Sequence, residues 1–154
     1  MSPDQDRILI LDYGSQYTQL IARSIRELGV YCEIFAPEID ADEINAFAPS
    51  GVVLSGGPAS VNDLDTPTIP AEIFSGGCPV LGICYGMQAL ASHLGGEVET
   101  AEEREYGPAP LTLTSQSVLL EGLEQITNGV DDPLQVWMSH GDRVSVLPPG
   151  FVTI

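Results

Sequence analysis

The chain is poor in positive charge, and that shortage excludes several partners at once. Lysine and arginine number 5 against 22 aspartates and glutamates, a formal charge of −17. So acidic a surface repels phosphate backbones and anionic headgroups, so neither nucleic acid nor membrane is expected as a partner. The carboxylate excess serves solubility. Long apolar runs are missing too, none approaching the roughly 20 residues of a bilayer-crossing helix. The start, MSPDQDR, has no basic leader followed by an apolar stretch. No secretory signal is read, and the cytoplasm is the expected compartment. Cysteine is scarce: Cys32, Cys78 and Cys84, an odd number with no C-x-x-C pair. This argues against a disulfide framework or a zinc site, and the expectation is reduced thiols and no metal. Internal repeats, low-complexity tracts and linkers are absent as well.

What remains suits one globular domain. The 154 residues are 44% apolar and 18% charged, enough for a core without staples. Residues 1–6 read as a tail and 7–154 as the domain. RILILD (7–12) is an apolar run ending in a carboxylate, the pattern of a buried strand that stops at a loop. Tyr17, Leu20, Ile21, Ile25 and Leu28 then recur at helical spacing, with Ser15 as N-cap and Gly29 as C-cap. VYCEIF (30–35) alternates like a strand, 40–47 is a weaker helix, and GVVLSGG (51–57) is a third strand. A loop rich in Pro, Asn and Asp (58–70) leads to a short helix near 70–75. CPVLGIC (78–84) is a fourth strand, and YGMQALASHLGG a helix closed by Gly95-Gly96.

This alternation with nearly all-apolar strands gives an α/β fold, a mostly parallel sheet flanked by helices. Ligands of such sheets gather beyond the carboxyl ends of the strands. Asp12-Tyr13-Gly14, Ser55-Gly56-Gly57-Pro58 and Cys84-Tyr85-Gly86 are therefore expected on one rim. The second half differs: EVETA, PLTLT and LQVWMS alternate like strands, with a helix only near 117–127. They read as antiparallel additions to the sheet or its edge. Gly150 to Ile154 begins what looks like another strand and stops, which reads as a truncated domain.

Gly82-Ile83-Cys84-Tyr85-Gly86 has the spacing of a nucleophile elbow. A nucleophile at the tip of a strained strand-to-helix turn leaves no room for side chains two residues either way. The following helix puts its positive end near the sulfur, which favours thiolate, and the amide after the nucleophile points where an oxyanion would form. The alternative is a core cysteine with incidental glycines, the reading given to Cys32 and Cys78. Ser55-Gly56-Gly57-Pro58 could cradle a phosphate, complete an oxyanion hole, or be a plain turn. Ser139-His140-Gly141-Asp142 leaves the strand LQVWM as a polar loop suited to a small polar ligand, or as a simple turn. His93 reads as a packing or surface residue.

The elbow followed by Met87-Gln88, together with the upstream Ser55-Gly56-Gly57-Pro58, resembles the class I glutamine amidotransferase family, whose fold is flavodoxin-like. ILDYGSQYTQLIAR (10–23), EREYG (103–107) and VWMSHGD (136–142) are similar to the branch of that family found in glutamine-hydrolysing GMP synthetases. The resemblance implies that Cys84 attacks the glutamine side-chain amide, forming a γ-glutamyl thioester and releasing ammonia. Gly57 and Tyr85 would supply backbone amides for the oxyanion. Gln88, Ser139, His140, Gly141 and Asp142 would hold the glutamine. The ammonia would go to an ATP-pyrophosphatase (synthetase) domain that uses ATP and Mg to aminate XMP to GMP, while this chain itself needs no cofactor. A homodimer of the full-length protein is an option the family leaves open.

One departure matters. The family carries its catalytic His and Glu in an H-P-E motif on a later strand, and the 154 residues contain none. Little sustained glutaminase activity is expected from the chain alone. Other readings stay open at this stage: an amidotransferase serving anthranilate or carbamoyl phosphate formation, a flavodoxin-like module binding a phosphate, or a scaffold or regulatory chain.

Overall fold

A computed structural model of the chain describes residues 6–115, 117–122 and 133–154, with side chains described except at 101–106, 139 and 140. Four parallel strands form one sheet: β1 (Arg7–Leu11), β2 (Tyr31–Phe35), β3 (Gly51–Leu54) and β4 (Val80–Gly82), in the order β2-β1-β3-β4. Helices α1 (Thr18–Glu27), α2 (Ala41–Phe47) and α3 (Glu72–Ser75) connect them, and α4 (Tyr85–His93) follows β4. The apolar runs thus became the parallel strands, and no helix among the described residues is long and apolar enough to cross a membrane.

The central strands β1 and β3 are apolar beyond Arg7 because both of their faces are covered. The outer strands are less buried, with Glu33 in β2 and an exposed Leu81 in β4. Side chains alternate across a strand, so Leu9, Leu11, Val52 and Leu54 face one way. They pack with Ile44 and Phe47 of α2, Ile73 of α3, and Tyr85 and Ala89 of α4. Ile10, Cys32 and Val53 face the other way and meet Ala22, Ile21 and Ile25 of α1. Cys32 is a packing residue, its Sγ donating to the Ala22 carbonyl at 3.3 Å.

Helix ends follow local chemistry, with one correction. Ser15 does not cap α1; Tyr17 occupies that position. Asp12 Oδ1 accepts from Gly14 N at 2.9 Å and from Thr18 Oγ1 at 2.7 Å. This winds residues 12–18 into a turn of their own and delays the helix. Gly29 follows the last turn at φ +81°, where a left-handed glycine ends helices readily. Asp40 and Glu43 close α2 with a reciprocal capping box, worth about 1 kcal/mol.

The second half departs further from expectation. EVETA and the start of PLTLT belong to a single strand, β5 (Glu97–Leu111), which pairs antiparallel with β6 (Leu134–Val146) as a separate two-stranded sheet. Pro108 and Pro110 are tolerated within it because each strand is an edge. Their spacing of two lets both nitrogens face away from β6. The expected loop Ser139–Asp142 is also strand: β6 runs through it, with Ser139 opposite Tyr106, His140 opposite Glu105 and Asp142 opposite Thr100. The ladder continues through these polar residues although its register shifts between Thr100 and Glu105. Near 117–127 only a 3-10 turn over Val118–Leu120 is formed among the described residues, and 123–132 lie outside them.

Between β1 and β3 the chain reverses its order of travel across the sheet, which opens the crevice at the strand ends. Tyr13 lies at that point, buried, its ring 5.1 Å from that of Tyr85. Among the described residues its hydroxyl has no hydrogen-bond partner. Burial, then the neighbouring Tyr85, raises its pKa. A raised pKa means folding favours the neutral phenol, so this stability is whole below about pH 10 and fades as pH climbs towards the folded value. Tyr13→Phe should therefore cost little near neutral pH, since no hydrogen bond is lost, and should reduce the stability loss above about pH 10. Urea midpoints across that range check both expectations.

Candidate active site

Cys84 stands between β4 and α4 with φ +52° and ψ −115°. Side-chain-bearing residues avoid this region, at a cost of about 1–3 kcal/mol. The surroundings hold it there. A Cβ on Gly82 would lie 2.6 Å from Met87 Cα and 2.7 Å from Met87 N. One on Gly86 would strike the Leu54 carbonyl and lie 2.7 Å from Leu54 Cβ. Gly86 N donates to the carbonyls of Ser55 and Ile83, both at 3.0 Å, and Ile83 N donates to Leu54 O at 2.9 Å. The Cys84 carbonyl accepts from Met87 N and Gln88 N, at 3.0 and 3.1 Å, and so begins α4. Two close backbone approaches thus replace side chains, and the half-buried thiol is left at the tip.

The three loops expected on one rim do meet. A Cβ on Gly56 would lie 3.4 Å from Cys84 Cβ and 3.5 Å from Ser15 Oγ. One on Gly57 would collide with the Tyr13 carbonyl, and one on Gly14 would sit 3.4 Å from Pro58 Cδ. The close approach of the β3 loop to the first loop requires glycine at 57, while Gly56 packs against the elbow and Ser15 at ordinary contact distance. Ser55 links them: Oγ accepts from Tyr13 N at 3.0 Å, and its carbonyl takes Gly86 N. Tyr85 runs the other way, its hydroxyl donating to the Pro67 carbonyl at 2.6 Å. Burial raises its pKa, offset by a hydrogen bond to Thr66. Among the described residues, no backbone carbonyl accepts from the amides of Gly57 or Tyr85.

The expected glutamine-binding residues fall into two groups. Gln88 and Asp142 are brought together: buried Gln88 donates from Nε2 to the Asp142 carbonyl at 3.0 Å. That bond ties α4 to β6 and fixes Asp142 beside the elbow helix. Gly141 adjoins it within β6, while the side chains of Ser139 and His140 lie outside the described residues. His93 is remote from this chemistry, stacked on Phe74 at 4.5 Å. Among the described residues no cluster of three His, Cys, Asp or Glu could hold a metal ion. Sequence reasoning missed Ser55 and Asp12 as organisers of the rim. Their signal was a small polar residue directly after an apolar strand, a pattern shared with ordinary turns.

A strained cysteine at a helix start, glycines at both necessary positions and a diglycine loop alongside make up the geometry. The family model for class-I glutamine amidotransferases matches residues 9–154. The chain belongs to that family. It is 51% identical over 149 residues to the GMP synthase [glutamine-hydrolyzing] of Serratia proteamaculans and 54% identical to that of Idiomarina loihiensis, in each case over 96% of this chain. It spans about 28% of the length of these relatives. The crystal structure of a GMP synthase subunit protein from Thermoplasma acidophilum superposes with a TM-score of 0.73 at 28% identity, covering 96% of this chain and 71% of that one. PurLQS from Thermotoga maritima shares the fold, with a TM-score of 0.61 at 15% identity over 97% of this chain and 73% of that one.

The amidotransferase elbow carries its strain at Cys84, a residue with a side chain, rather than at either of its glycines. Cys84→Gly should therefore be more stable than Cys84→Ala by about 1 kcal/mol, reversing the order found inside ordinary elements. Denaturant midpoints of the two variants measure this.

Proposed function

We propose that the chain is the glutamine-hydrolysing unit of a GMP synthetase, supplying ammonia for the amination of XMP. The observation that carries this reading is Cys84 held at φ +52° at the head of α4, against the diglycine loop of β3. Identity of about half to GMP synthases over nearly the whole chain supports the branch. The Cys84 thiolate attacks the carboxamide carbon of glutamine. A carbon–sulfur bond forms as the carbonyl π pair moves onto oxygen, where the amides of Gly57 and Tyr85 receive it. The pair on oxygen then re-forms the carbonyl as the carbon–nitrogen bond breaks, the nitrogen takes the proton that the thiol gave up, and ammonia leaves a γ-glutamyl thioester. Water hydrolyses the thioester to glutamate and returns the thiol.

Gln88, Ser139, His140, Gly141 and Asp142 hold the glutamine in this reading, with the Gln88–Asp142 bond setting the distance between α4 and β6. ATP and Mg belong to the accepting ATP-pyrophosphatase polypeptide, and pairing of full-length chains as a homodimer is part of the same reading. The cytoplasm is its compartment. Protonating the leaving nitrogen calls for a general acid and activating the water for a general base, and no His-Pro-Glu stands in the 154 residues. Turnover by the chain alone should then be slower than that of a complete amidotransferase by about 100-fold or more.

Acid-quenched mixtures with glutamine, analysed by intact mass, test the reading. A glutamyl adduct on Cys84, absent in Cys84→Ala, is expected, with slow ammonia release. A sulfur that never gains the adduct would overturn the function. Formation of GMP from glutamine, ATP and XMP once the accepting polypeptide is added would support the branch, and failure there alone would point to another synthase.

A further inference from the structure

Ser55 makes one hydrogen bond that the proposed chemistry does not use. Its fully buried hydroxyl accepts from Tyr13 N at 3.0 Å and donates to the Gly56 carbonyl at 3.0 Å. A hydroxyl has one hydrogen, and the amide arriving from Tyr13 occupies its lone-pair side, which leaves that hydrogen for Gly56. Peptide bonds are planar, and no cis bond occurs among the described residues. In a trans peptide the carbonyl and the N–H point in opposite directions. Holding the Gly56 oxygen therefore aims the Gly57 amide. A diglycine needs such a hold, since two residues without side chains can turn their shared peptide over at little steric cost.

We propose that Ser55 is a positioning residue whose hydroxyl keeps the Gly57 amide facing the oxyanion site. The inference rests on the reading of Gly57 as an oxyanion donor. The same residue takes Gly86 N on its carbonyl at 3.0 Å, so one buried serine sets the diglycine amide in register with the elbow that carries Cys84 and Tyr85. Acting through another group, it should affect reactions that develop negative charge on oxygen and spare those that do not.

Two alkylators separate these cases in the 154-residue chain. A glutamine-derived chloroketone reacts through a tetrahedral oxyanion, the carbon–sulfur bond ultimately replacing carbon–chlorine as chloride leaves. Iodoacetamide undergoes direct displacement of iodide with no oxyanion. Ser55→Ala should slow Cys84 labelling by the chloroketone about tenfold or more, a modest share of what one oxyanion donor contributes. Iodoacetamide labelling should change by less than about twofold on the same scale. Ser55→Thr, which keeps the hydroxyl, should retain most of the chloroketone rate. An unchanged ratio in Ser55→Ala, an equal loss with both reagents, a folded Ser55→Thr as impaired as Ser55→Ala, or a Ser55→Ala chain that does not fold would each overturn the proposal. Wild-type Cys84 that reacts with iodoacetamide but ignores the chloroketone would instead overturn the amidotransferase reading beneath it.

Discussion

The backbone at Cys84 keeps its left-handed conformation only because the positions two before and two after it carry no side chain. Gly82 lets the first turn of α4 fold back onto β4, and Gly86 lets that helix press against the end of β3. The strain is small beside the burial that opposes its release. Tyr85 and Leu54 are nearly or wholly buried, and burying one such side chain contributes about 1.5–3 kcal/mol. The core beneath the turn can therefore hold one residue in a disfavoured region indefinitely. The thiol stands above the sheet as a result of packing below it.

The rim extends the same constraint sideways. Parallel strands end together on one edge, so three loops compete for the space over β1, β3 and β4. They fit because Gly57 leaves room for the Tyr13 carbonyl and Ser55 supplies a hydrogen bond to each neighbour. Asp12 does the equivalent for the first loop by taking Gly14 N and Thr18 Oγ1 on one oxygen. The buried Gln88 then carries the constraint outward to β6 through the Asp142 carbonyl. In the proposed function, these contacts would keep the oxyanion donors and the glutamine-binding strand in register with the sulfur.

Much of this was legible in the sequence where a single period or spacing decides the outcome. RILILD and GVVLSGG have no polar face and became strands covered on both sides, while the equally apolar CPVLGIC became the outer strand with Leu81 exposed. The elbow glycines announced themselves by spacing, because their role is steric and local. The second half was harder for a physical reason. In a two-stranded ribbon each strand has an open edge, so prolines at 108 and 110 do not end it. The pairing carries on across a register shift, so Ser139 to Asp142 are strand although their composition reads as a turn. The missed cap at Ser15 has a similar cause. Which oxygen organises a loop depends on a residue brought near by the fold, here Asp12 reaching Thr18. Ser55 was seen as part of a glycine loop, but its hydroxyl takes Tyr13 N from the first loop and its carbonyl takes Gly86 N from the elbow, and no spacing reveals either contact.

The most direct measurement is a crystal structure of the chain after its Cys84 has been alkylated by a glutamine-derived chloroketone. The expected result is a thioether at Sγ whose ketone oxygen lies about 2.7–3.1 Å from the amides of Gly57 and Tyr85, with the amino-acid end of the adduct against β6 near Asp142. An adduct whose oxygen points into solvent, or a sulfur turned away from the diglycine loop, would contradict the placement on which the proposed chemistry depends.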